Sequence, residues 1–149
     1  MRVALTGHRP QRLGLPEDET DEKWIPIQHW IIDELSNFIK TCRDNNELLD
    51  LYTGMASGSD IAFAITGVSM NYINSIKLHC ILPCKNYNSS HKYYKFLKLK
   101  ASEWVELSDE FYKVQLINVN SKMRKNLFYF LTKKGRTFPL VKISFFERY

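Results

Sequence analysis

Apolar and polar positions along the chain fall into two kinds of run that alternate. Val3-Ala4-Leu5 is a continuous apolar run, the pattern of a strand buried on both faces, and it passes into the small polar turn Thr6-Gly7-His8-Arg9-Pro10. Gln11 to Thr20 holds Gly14, Pro16 and several acids, and reads as loop. From Asp21, a suitable cap, Trp24, Ile27, Ile31, Leu35 and Phe38 recur at three- and four-residue intervals. They predict a helix that ends near Asp44-Asn45-Asn46, with Pro26 tolerated in its first turn. Glu47 to Thr53 predicts a second strand, followed by the turn Gly54-Met55-Ala56-Ser57-Gly58-Ser59-Asp60 and a helix across Ile61 to Val68. Ile76 to Leu82 predicts a third buried strand, stopped by Pro83-Cys84. Lys92 to Ala101 reads as a basic amphipathic helix, with Tyr93, Phe96, Leu97 and the stem of Lys100 on one side, and Trp104 to Leu107 as a short strand. In the tail, Leu127 to Leu131 suits a strand, Lys133 to Thr137 is a third glycine-bearing basic turn, and Val141 to Phe146 is a strand or a short helix.

This alternation predicts one α/β domain over residues 1–149, a Rossmann-like three-layer fold with a mainly parallel sheet that is shortened or rebuilt at its C-terminus. Right-handed crossovers carry successive strand ends to one edge of the sheet, so the turns at Gly7, Gly54, Pro83 and Gly135 are expected to line one crevice.

The chemistry of those turns suits an anion. Gly7 lets backbone approach a ligand, and Arg9 offers a planar fork of donors matched to phosphate. At the second turn a helix starts just after two glycines, where unpaired backbone N–H groups and the helix dipole favour negative charge. Asp60 stands there as a helix cap or as an acceptor for a ribose hydroxyl or an amine.

Composition sharpens the choice of partner. With 44% apolar and 25% charged residues the chain is globular, and a formal charge of +5 favours an anionic partner. Glu17 to Glu22 is acidic while Lys85 to Lys100 and Lys122 to Arg136 are basic, so a long anion such as nucleic acid would lie on the second half. Most of the aromatic residues also fall there, which suits a homo-oligomer interface or a stacking site. Cys42, Cys80 and Cys84 form neither a disulfide framework nor a metal set, and His8, His29, His79 and His91 have no ligand spacing, so neither a metal nor a cofactor is expected. The opening is too short for a signal core and no apolar run is of bilayer length, so the expected setting is a cytoplasm, without membrane contact.

Leu5-Thr6-Gly7-His8-Arg9-Pro10, continuing into Gln11-Arg12-Leu13-Gly14, resembles the opening of the short YspA-like and YoqJ-like proteins of bacteria and phages, members of the SLOG superfamily. Thr53 to Asp60 is similar to that group's second motif, Ile81-Leu82-Pro83-Cys84 to its third strand end, and Ala101 to Tyr112 to its next strand and aromatic turn. Related sequences then have an arginine-asparagine helix and a glycine-glycine-threonine loop. Only Met123-Arg124-Lys125-Asn126 and Gly135-Arg136-Thr137 approximate these, with Arg136 in place of the second glycine.

The resemblance implies a nucleotide-binding fold whose members hydrolyse nucleotide N-glycosidic bonds, bind nucleotide-derived signals or bind single-stranded DNA. The hydrolases carry a glutamate beside the third loop, whereas here no carboxylate follows Gly135 before Glu147, so no catalytic residue is expected. The leading expectation is a binder of an ADP-ribose-like or cyclic nucleotide signal, acting by sequestration as a phage counter-defence protein in the host cytoplasm. Its expected site is Thr6, Gly7, His8, Arg9, Gly54, Ala56, Ser57, Gly58, Asp60, Pro83, Arg136 and Thr137. An N-glycosidase, a single-stranded DNA binder and an adaptor for a host protein stand behind it.

Overall fold

In this computed structural model, which describes residues 1–71, 74–109 and 140–144, the layout follows from the first strand. Val3 and Leu5 belong to the main core, and Ala4 to a smaller cluster on the other side of the sheet. Among the described residues five strands form a single parallel sheet: β1 (Arg2–Thr6), β2 (Leu49–Thr53), β3 (Ile76–Leu82), β4 (Glu103–Glu106) and β5 (Leu140–Ser144). Their spatial order is β4-β3-β2-β1-β5, with every pairing parallel.

From β1 to β4 the chain advances across the sheet in one direction, and right-handed crossovers therefore place the intervening helices on one face. The buried residues agree. α2 (Ile25–Asp44) contributes Ile27, Ile31, Leu35 and Cys42, α3 (Ser59–Ser69) contributes Ile61 to Ala64, and α4 (Tyr94–Lys100) contributes Tyr94 and Leu97, all to the same core as Leu49, Leu51, Leu78 and Leu82. Each Ile, Leu or Phe among them, fully buried, is worth about 1.5–3 kcal/mol. α3 packs closely enough that a Cβ on Gly67 would lie 2.3 Å from Leu51 Cδ1.

The second face is covered too, with Ala4, Tyr52 and Ile81 almost fully buried, so the domain is Rossmann-like in its layering. On this face His79 stacks on Tyr52, ring centroids 4.6 Å apart, and points Nε2 at Asp50 Oδ1 (2.7 Å). Its Nδ1 lies 3.5 Å from Glu103 Oε2. Burial opposes ionisation of Asp50, but the hydrogen bond and charge of His79 outweigh it and hold that carboxyl below the usual range.

Three local readings change. Gln11 to Leu13 is part of a short helix, α1 (Pro10–Leu13), because Pro10 presets its first turn and Gly14, at φ 65°, closes it in the left-handed conformation. In α4 the buried pair is Tyr94 and Leu97, while Phe96 is 42% exposed and Lys100 is exposed, so the apolar stripe is shifted and narrower than the sequence pattern suggested. Asp21 caps a single 3-10 turn, Glu22–Trp24, through Lys23 N (2.9 Å), and α2 follows it. Leu127 to Leu131 and the turn at Gly135, with Arg136 and Thr137, lie outside the described residues. Cys42, Cys80 and Cys84 are free and buried, and among the described residues no helix is long and apolar enough to cross a membrane.

Candidate functional site

Strand order reverses at β1, which has β2 on one side and β5 on the other. Ligands of open α/β sheets bind beyond the carboxyl ends of strands at such a reversal. The Thr6-Gly7-His8-Arg9 turn leaves β1 at that point, with Thr6 in register with Ser144.

The first and second turns touch. A Cβ on Gly7 would stand 2.2 Å from both Cβ and Oγ of Ser59, so only glycine fits. Gly58, at φ 100°, would place a Cβ 2.6 Å from the His8 carbonyl oxygen and 3.1 Å from Arg9 Cα. Ser59 donates to the His8 carbonyl twice, from Oγ (3.0 Å) and from its backbone N–H (3.3 Å). The third strand end joins them: a Cβ on Gly54 would lie 2.9 Å from Asp60 Oδ2 and 4.0 Å from the Ile81 carbonyl, next to buried Leu82 and Pro83.

Arg9 is exposed, and its Nη2 donates to the Tyr87 hydroxyl at 3.1 Å. Burial pushes the Tyr87 phenol up and the nearby Asp60 charge adds to this, while Arg9 opposes it. Asp60 is not the helix cap. Gly58 occupies that position, and Asp60 stands in the first turn of α3, where its charge favours the positive helix end while its carboxylate faces Gly54.

Between these groups Met55 is fully buried at φ 62°, a left-handed conformation that costs an ordinary residue about 1–2 kcal/mol. Its neighbours hold it there: Met55 N donates to Thr53 Oγ1 (3.2 Å), and Asn88 Nδ2 donates to the Met55 carbonyl (2.9 Å). Asn88 also reaches Ser57 Oγ (3.1 Å), which fixes the turn on either side of half-buried Ala56.

One residue unforeseen from the sequence is central. Glu19 is 0% exposed, and its Oε1 accepts from the backbone N–H of Gly58 at 2.6 Å. His91 Nε2 lies 2.9 Å from Glu19 Oε2, and His91 Nδ1 accepts from the Tyr93 backbone N–H (3.1 Å). A backbone amide can only donate, so the ring proton sits on Nε2 and points at Glu19. The amides of Gly58 and Ser59, at the start of α3, thus already have acceptors within the chain.

Residues beside Glu19 extend the contact. Asp18 pairs with Lys92 (3.1 Å), and the Thr20 and Tyr93 hydroxyls are 2.7 Å apart. Hydrogen bonds from the Thr20 side chain and backbone, with that of Lys92, hold the Asp18 carboxyl down to about 2. A cleft of about 330 Å³ lies beside these pairs, lined by Glu17, Asp18, Ser57, Asn88, His91 and Tyr93 among others. Among the described residues no group of three or more His, Cys, Asp and Glu could hold a metal ion. No protein-family model matches the chain, and no curated protein matches it.

Proposed function

We propose that the chain is a SLOG-like protein that binds a nucleotide-derived small molecule, ADP-ribose-like or a cyclic nucleotide, and holds it without turnover. What carries this reading is the meeting of the first two turns at the strand-order reversal, with Gly7 against Ser59, Gly58 against His8 and Arg9, and the Arg9 guanidinium beside them. Arg9 takes phosphate, exchanging its bond to the neutral Tyr87 hydroxyl for charge-assisted ones. Asp60 accepts from ribose hydroxyls, and Tyr87, within reach of both charges, offers its ring to the base. The buried left-handed Met55 supports the same reading, since strain of that kind persists where a turn is held in shape for a ligand.

Binding without turnover fits the two carboxylates at the turns. Among the described residues, Glu19 is buried between two N–H donors and the Asp60 carboxylate faces Gly54. Sequestration of a host immune signal is the use that suits such a binder, as the likeness to phage proteins implies.

The test begins with mass spectrometry of the small molecule that co-purifies and is released by heat, followed by calorimetry of that molecule with the wild type and Arg9→Ala. Loss of the charge-assisted bonds weakens binding by about 10–100-fold. Equal affinity in the two proteins, or recovery of a free base and a sugar phosphate in place of the intact molecule, would sink the proposal.

A further inference from the structure

The position at the second turn that suits a ligand anion is filled by the chain's own carboxylate. We infer that Glu19 is an autoinhibitory occupant of that position, and that residues 18–20 form a strap which must lift from residues 91–93 before an external anion can enter. The inference rests on the proposed binding function for its biological meaning, but not for its test.

Glu19 is drawn out of an exposed acidic loop into complete burial, at the cost of desolvating a charge. Two donors offset that cost. The Gly58 amide donates at 2.6 Å, and the His91 Nε2–H donates at 2.9 Å from a ring whose tautomer is fixed by Tyr93 N–H on Nδ1. Both would remain aimed at the same point if the carboxylate left, because neither is built on the strap: Gly58 belongs to the second turn and His91 to the loop before α4. They would then present to a phosphate oxygen what they present to Glu19.

Apart from that carboxylate, the strap is tied by one part-buried bond, from Gln28 Nε2 to the Glu19 carbonyl (2.8 Å), and by two exposed contacts. Asp18–Lys92 is an exposed ion pair, with side chains 44% and 65% accessible, and the Thr20–Tyr93 hydroxyl pair is also exposed. Such contacts are individually weak, so the Glu19 carboxylate is the main latch. A cleft lined by Glu17, Asp18, Ser57, Asn88, His91 and Lys92 lies alongside the strap.

Inorganic phosphate is the probe, and the Gly58 amide resonance is the reporter. In Glu19→Ala the vacated position binds phosphate: the Gly58 and Tyr93 signals move on titration, and phosphate at ten times its dissociation constant raises Tm by about 3–5 °C. Chloride at the same ionic strength does neither, and in the wild type the Gly58 signal stays fixed over the same range. If the Gly58 signal is unmoved in Glu19→Ala, or moves at the same concentration in both proteins, the inference is wrong. Should Glu19→Ala not fold, Glu19→Gln takes its place, since it keeps an acceptor for the Gly58 amide while losing the charge. Its Gly58 signal must then respond at a phosphate concentration at least tenfold lower than in the wild type, and an equal midpoint overturns the inference. Nucleotide binding by the Arg9→Ala protein is a separate reading, so either idea can fail without the other.

Discussion

At the scale of single residues, the glycines and their partners decide whether the site exists. Gly7→Ala drives a methyl into Ser59, 2.2 Å from its Cβ, and the first and second turns must part. The expected loss is about 1–3 kcal/mol in urea unfolding. Adding Ser59→Gly removes the obstructing atoms, so the double variant should be more stable than Gly7→Ala alone; strictly additive losses would show that the two turns are not packed as described. The close turns at Gly7, Gly54 and Gly58 were legible in the sequence, because the need for backbone without a Cβ at a strand end or helix start is a local property. Glu19 was not. It lies in the run Pro16-Glu17-Asp18-Glu19-Thr20, which reads as solvated loop, and its partners Gly58 and His91 are distant in sequence. No periodicity marks which acid of such a run turns inward.

At the scale of elements, the strap has a defined acid response, set first by the Thr20 side chain and backbone and then by Lys92 from the loop before α4. The Asp18 carboxyl is held down to about 2 in the folded chain, against an ordinary value near 3.8. A lowered folded-state pKa means that the stabilisation is fully present above about pH 4 and is lost as pH falls towards 2. The stability difference between wild type and Asp18→Asn should therefore be constant above that range and shrink below it, as followed by thermal melts at each pH. A difference that grows on acidification would show that Asp18 is not paired in the folded state. The strands and long helices were readable because each repeats its pattern over several residues; β3 emerged with the same limits from the alternation as from the structure. The short elements were harder. α1 is a single turn set by Pro10 and Gly14 inside a loop-like composition, and α4 has too few residues for its stripe to identify which aromatic faces inward.

At the scale of the whole molecule, one sheet carries both cores and the site, so opening its centre means opening the domain. Cys80 is 0% exposed in β3, and burial pushes its thiol up to about 12. A thiol reagent at pH 8 should label it only at the rate of global unfolding extrapolated from urea. Labelling orders of magnitude faster would show that β3 opens by itself. The order of the strands also has a consequence in time. β1 to β4 each pair with the strand next to them in the chain, so these contacts close far shorter loops than the β1–β5 pairing does and can accumulate as the polypeptide leaves the ribosome. β5 is different, because Arg2 must wait for Leu140. Among the described strands β5 is thus the last to join β1, after the longest loop closure between them, and until it arrives a nascent chain leaves one side of the strand that leads into the Arg9 turn unpaired.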